Sequence, residues 1–189
     1  MKIIDINKIC GDINIMKMSN LYRYNNRTRL KNESIAEHSF YVALTALRLC
    51  EVLEIEDSLK LKILEMAIIH DVGETNSIDA PYTLKRDYKE LSSILAYIEK
   101  EEMKKHFPDL IEVHNRFEEC DNINNLAGVI VKLADVISVV QYSKNELLLG
   151  NKTYEMKDIF NEAVSRTSMI VELLRTEYSY DIEKIDLKL

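Results

Sequence analysis

The sequence predicts an all-α fold, and two observations carry the prediction. The chain holds 4 glycines and 2 prolines in 189 residues, too few breakers for the many turns of an all-β protein. Apolar residues recur at helical spacing along most of its length.

The elements follow in order. Residues 2–16 place Ile3, Ile6, Ile9, Ile13 and Met16 on one helical face. The polar stretch SNLYRYNNRTRLKNES, residues 19–34, has no period and reads as a long loop, a class of segment that is often functional. Ser34-Ile35-Ala36-Glu37 is a capping box, and it opens a helix through His38, Val42 and Leu49 to about Leu53. A second helix is expected over about 58–72. Asp79-Ala80-Pro81 signals a turn. Helices follow at about 86–105 and, after Pro108, to about Cys120. Asn122, Asn124 and Asn125 mark a break. A long apolar helix runs from about Leu126 to Leu149 with Gly150 as its C-terminal cap, and a last one spans 154–176. The total is about six to nine helices. Without repeats, low-complexity segments or a visible boundary, residues 1–189 read as a single domain.

Composition narrows the function. With 47% hydrophobic and 30% charged residues, the chain reads as an ordinary soluble globular protein. A net charge of −7 argues against non-specific binding of nucleic acid. The 10 tyrosines form no stacking stripe for single strands either. Small anionic substrates remain compatible, because an arginine or a metal ion reverses the sign inside a pocket. Cys10, Cys50 and Cys120 are far apart and odd in number, which reads as reduced thiols in a cytoplasmic protein. The N-terminus carries Asp5 and Asp12 and no long apolar region, so it does not read as a signal peptide. No apolar run approaches the roughly 18 residues of a membrane span.

Ionisable residues inside apolar helical segments carry the chemistry. His38 follows the capping box. His70 and Asp71 break the run Met66-Ala67-Ile68-Ile69. Asp135 sits in VIVKLADVISVV. A carboxylate there is costly unless it is paired or bound to a cation. Two imidazoles and two carboxylates suit a divalent transition metal, and facing helices are how bundles build such sites.

This H…HD…D arrangement resembles the HD-domain phosphohydrolases. Within them the chain is most similar to the bacterial 5′-deoxynucleotidases and their eukaryotic relatives. The resemblance rests on Arg23-Tyr24, ESIAEHS (33–39), IIHDVGE (68–74), Asp79-Ala80-Pro81 and VKLAD (131–135), and it covers about residues 15–150. It implies a helical bundle of the HD type, with His38, His70, Asp71 and Asp135 binding one divalent ion: Mn, Co, Fe, Ni or Zn. Glu74 and Asp79 would be catalytic. Arg23 would hold the phosphate, Tyr24 would pack on sugar or base, and Lys132 would be a weaker substrate contact, with Arg27 and Arg29 as further weak candidates. Tyr24 departs from the tryptophan usual in the family, which leaves the sugar pocket open. Glu37 reads first as a helix cap. His106 and His114 fit a second metal poorly.

The implied reaction is hydrolysis of deoxynucleoside 5′-monophosphates to deoxynucleoside and phosphate by a metal-activated water. Release of triphosphate from a dNTP at the same site is the alternative, because Arg23, Arg27, Arg29 and Lys31 crowd one loop. Cyclic or signalling nucleotides, and a non-catalytic nucleotide-binding protein, are the remaining readings. Family members are often homodimers. The apolar final helix would supply such an interface or close the core of one chain, and light scattering giving a mass near 22.0 kDa would remove the dimer.

Overall fold

The structure, a computed structural model, describes residues 16–76, 80, 82–119, 124–180 and 182. Residues 2–15 of the first expected helix, with Cys10, Cys120, Asp79 and Pro81, lie outside the described residues. Ser34 starts helix α1 (Ile35–Val52) as its sequence predicts. Its hydroxyl accepts from the Glu37 N–H at 3.2 Å, and the Glu37 carboxylate accepts from the Ser34 N–H at 2.8 Å. Two donors that a helix start leaves unpaired are thus satisfied reciprocally. Along α1, His38, Val42, Ala46 and Cys50 recur every fourth residue on the buried face.

Helix α2 (Asp57–Ile69) ends earlier than the apolar pattern suggests. His70 caps it, and the chain tightens into a 3₁₀ turn, Val72–Asn76. Gly73 sits in that turn. A Cβ there would lie 3.1 Å from Glu99 Cβ and 3.4 Å from His114 Nε2. Its role is therefore close approach rather than freedom to turn. The helix expected over 86–105 is α4 (Lys89–His106), and a short helix, α3 (Tyr82–Asp87), precedes it. They divide at Tyr88, whose φ of −124° and ψ of 84° are not helical. No glycine or proline in residues 86–90 signals that division. Helix α5 (Ile111–Glu118) follows Pro108.

Helix α6 (Leu126–Leu148) is the axis of the fold. The Asn125 side chain caps it by accepting from the Gly128 N–H at 3.0 Å. At the other end Gly150 takes φ 106°, the left-handed conformation that glycine allows after a helix. Helix α7 (Tyr154–Tyr178) lies along α6, capped by Thr153. Helices α1 and α2 pack on other faces of α6. Ile130, Leu133 and Ala134 of α6 join Val42, Ile63 and Met66 in one apolar cluster. Each large apolar side chain buried there contributes about 1.5–3 kcal/mol. The apolar stripe of α7 is spent inside the chain: Phe160, Val164, Ile170 and Leu174 pack on the core, while Met169 is exposed.

One expectation is corrected here. Helix α6 is long and apolar enough to cross a membrane by length and composition. The run was missed because Lys132 and Asp135 interrupt it. Of its most apolar window, 67% is buried inside the chain, which matches the central helix of a globular core.

Candidate metal centre

Three helices bring four donor side chains together. His38 enters from the first turns of α1, His70 and Asp71 from the end of α2, and Asp135 from the middle of α6. His38, His70 and Asp71 each offer one donor atom, all within 4.8 Å of one another. His38 Nε2 lies 3.3 Å from His70 Nε2 and 3.5 Å from Asp71 Oδ2. His70 Nε2 lies 3.3 Å from the same Oδ2. Asp135 adjoins the group at His38, its Oδ1 3.3 Å from His38 Nε2. Ligands bound at about 2.1 Å to one ion stand roughly 3.0–3.4 Å apart, depending on geometry. The spacing of His38, His70 and Asp71 comes close to that shell, and Asp135 adjoins it through His38.

The protonation pattern fits as well. His70 Nδ1 is 2.9 Å from the Ala67 carbonyl. A carbonyl only accepts, so Nδ1 carries a proton, and whenever the ring is neutral its Nε2 lone pair faces inward. Two nitrogens then face each other at 3.3 Å, an arrangement that needs a proton or a cation between them. Burial pushes His70 down, but Asp71 beside it outweighs this and lifts the ring to about 9. His38 is pushed down to about 4 by burial and by the Arg23 guanidinium. Burial raises both carboxyls, yet the imidazoles beside Asp71 and Asp135 hold them well below the usual range. The pocket thus prefers positive charge next to its two carboxylates, and the carbonyl end of α2 adds to that preference.

Arg23 reaches the same cluster. Its N–H bonds the Glu33 carbonyl at 2.9 Å, beside the antiparallel bridge of Tyr22 to Ser34. Its guanidinium pairs with Glu33 Oε2 at 3.1 Å and lies 2.6 Å from His38 Nδ1. Ser138 Oγ lies 2.9 Å from that same nitrogen. One ring nitrogen serves only one of them as a proton partner: it accepts from Arg23 or donates to Ser138. Ligation through Nε2 requires the second, leaving Arg23 paired with Glu33 alone. Ser138→Ala is therefore expected to weaken Mn²⁺ or Co²⁺ binding about 10–100-fold. Competition with a chelating dye measures this, and unchanged affinity would show that Ser138 does not orient the ring.

The remaining predicted residues divide. Tyr24 adopts φ 59°, stacks on Tyr142 with ring centroids 4.7 Å apart, and has the Arg23 guanidinium 5.2 Å from its ring. Glu74 lies one 3₁₀ turn past Asp71, its N–H bonded to the Asp71 carbonyl. Its buried carboxylate pairs with Lys85 Nζ at 3.2 Å, and Lys85 also approaches Glu99 at 3.7 Å. Lys132 stands one turn before Asp135 and helps lower that carboxyl. Sequence reasoning missed Ser138, Lys85 and Glu33. Ser138 had a signal: it is three residues after Asp135, on the same helical face.

The family model for YfbR-like 5′-deoxynucleotidases matches residues 13–178. The chain belongs to the YfbR-like 5′-deoxynucleotidase family. It is a metal-dependent hydrolase of phosphate esters, of the nucleotide phosphohydrolase kind. Its fold is that of solved relatives. A protein of Pyrococcus horikoshii OT3 superposes with a TM-score of 0.71 at 27% identity, covering 93% of this chain and 97% of that one. An HD-domain phosphohydrolase of Listeria innocua gives 0.70 at 22%, covering 87% and 82%. The HD phosphohydrolase DatZ of cyanophage S-2L, bound to dA and one catalytic Zn²⁺ ion, gives 0.66 at 18%, covering 95% and 97%. No curated protein matches the chain by sequence. The His38, His70 and Asp71 group can hold a divalent ion, whose identity the ligand types leave open.

Proposed function

We propose that the enzyme hydrolyses deoxynucleoside 5′-monophosphates to deoxynucleoside and phosphate, as one functional unit spanning the chain. His38, His70, Asp71 and Asp135 hold the divalent ion, which supplies Lewis acidity and a more acidic water when bound. Arg23 turns its guanidinium to the phosphate oxygens, where a planar fork binds two at once. Tyr24 borders the sugar or base, and Lys132 adds positive charge nearby. The P–O5′ bond breaks as water oxygen bonds to phosphorus. Glu74 or Asp79 delivers the proton that the leaving 5′-oxygen needs. Phosphate monoesters are among the slowest to hydrolyse unaided, so charge placement counts most.

The observation that carries the monophosphate reading is how the loop's arginines are committed. Arg27 pairs with Glu155 of α7 at 2.7 Å. Arg29 folds back on its own loop, donating to the Tyr24 carbonyl at 2.7 Å and to Asn32 at 2.8 Å. Of the loop's arginines, Arg23 is the one set against the donor cluster. A triphosphate needs more positive charge than that. The dA held by the cyanophage relative supports a deoxynucleoside product.

The test offers dAMP, AMP and dATP in parallel to protein reloaded with Mn²⁺ or Co²⁺, with products resolved by chromatography. Deoxyadenosine and phosphate from dAMP are expected. Triphosphate from dATP, with dAMP untouched, would replace this reading with the triphosphohydrolase one.

A further inference from the structure

Helix α6 carries a polar stripe on an otherwise apolar body: Asp135, Ser138, Tyr142 and Glu146, spaced by three, four and four residues. Such spacing keeps all four on one face. The first two serve the donor cluster. The last two serve the loop that carries Arg23 and Tyr24. Glu146 is fully buried, at 0% exposure. Its Oε1 accepts from the Lys31 N–H at 2.7 Å, and its Oε2 from the Leu30 N–H at 2.8 Å and from Asn151 Nδ2 at 2.8 Å. The Tyr142 hydroxyl donates to the Lys31 carbonyl at 2.7 Å, while its ring stacks on Tyr24. Asn151 Nδ2 also bonds the Thr28 carbonyl at 2.9 Å.

A carboxylate is expensive to bury, and this one is far from the ion site, about 16 Å along the helix from Asp135 at 1.5 Å per residue. Its partners are backbone amides of the loop. We propose that Glu146 is a positioning residue for the nucleotide-binding arm. By fixing the backbone at Leu30 and Lys31, it sets where Arg23 and Tyr24 stand relative to ligands on the same helix. One rigid element thus gauges both the ion and the arm. The inference rests on Arg23 and Tyr24 being nucleotide contacts, as proposed above.

Glu146→Gln tests it, because the amide keeps the shape but turns one acceptor into a donor facing donors. Tyr142→Phe is the milder second variant, removing only the bond to Lys31. In Glu146→Gln, hydrogen exchange at the Leu30 and Lys31 amides is expected to speed up at least tenfold. The KM for dAMP should rise about tenfold, with kcat within about threefold and bound metal per chain unchanged. Tyr142→Phe should shift both readouts in the same direction. Combining Glu146→Gln with Tyr24→Ala should raise KM no further than the worse single variant. Faster exchange with an unchanged KM, or fully additive effects, would overturn the positioning role while Tyr24→Ala alone still raises KM. An unchanged KM in both Tyr24→Ala and Arg23→Ala would overturn the nucleotide-contact reading itself, and this inference with it.

Discussion

Asp71→Ala is expected to lose the bound metal and at least about a thousandfold in turnover, with the helical fold kept. The magnitude follows from the ion. A divalent cation stabilises transition-state charge by several kcal/mol, and each 1.4 kcal/mol is a factor of ten in rate. The selectivity follows from position. Asp71 stands at the end of α2 with 18% of its side chain exposed, outside the apolar clusters that hold α1, α2 and α6 together. Its removal costs the site a ligand and costs the core no apolar contact. Metal analysis after dialysis, circular dichroism and phosphate release on one preparation separate these effects. Asp71→Asn controls for volume and should lose activity in the same way. Retained turnover at normal metal content in either variant would contradict the assignment of Asp71 as a ligand.

The donor set was legible because each member violates its local pattern. An acid inside VIVKLADVISVV and an HD pair closing an apolar run are conflicts that a helix tolerates only for a reason. The capping box fixed the start of α1 because it is a local hydrogen-bond pattern, readable without tertiary knowledge. Other features are tertiary and were not legible. Gly73 is small because α4 passes beside it, and spacing along one chain does not show which helix will pass. The division at Tyr88 carries no glycine or proline to announce it. Glu146 was readable in principle, eleven residues and close to three turns from Asp135. It was overlooked because an acid near a helix end reads as solvated until its partners, the Leu30 and Lys31 amides, are known. Asp79 lies outside the described residues, so its proposed share in proton transfer rests on the family resemblance.

Arg23→Ala carries the second large effect, and it has two parts that must be separated. Hydrogen bonds to a charged group contribute about 1.5–3 kcal/mol each. Losing a two-pronged grip on phosphate is therefore expected to lower kcat/KM for the monophosphate by about a hundredfold to ten-thousandfold. The same change strips Glu33 of its partner. Glu33 is 5% exposed, and burial already raises its carboxyl above the ordinary value, with Arg23 opposing that rise. Without the guanidinium the carboxyl climbs further and takes up a proton on folding. That limits the destabilisation to less than the roughly 3–5 kcal/mol of a fully uncompensated buried charge. The sign follows by linkage. A carboxyl raised in the folded state leaves stability intact below its unfolded pKa of about 4.3 and costs stability as pH rises through the folded value. The melting deficit of Arg23→Ala relative to the unaltered enzyme should accordingly be smallest in acid and grow toward neutral pH. Adding Glu33→Gln to Arg23→Ala should restore the melting temperature and flatten its pH dependence without restoring kcat/KM. Recovery of activity in that double variant would show that Arg23 acts only by neutralising Glu33, and would remove it from the phosphate.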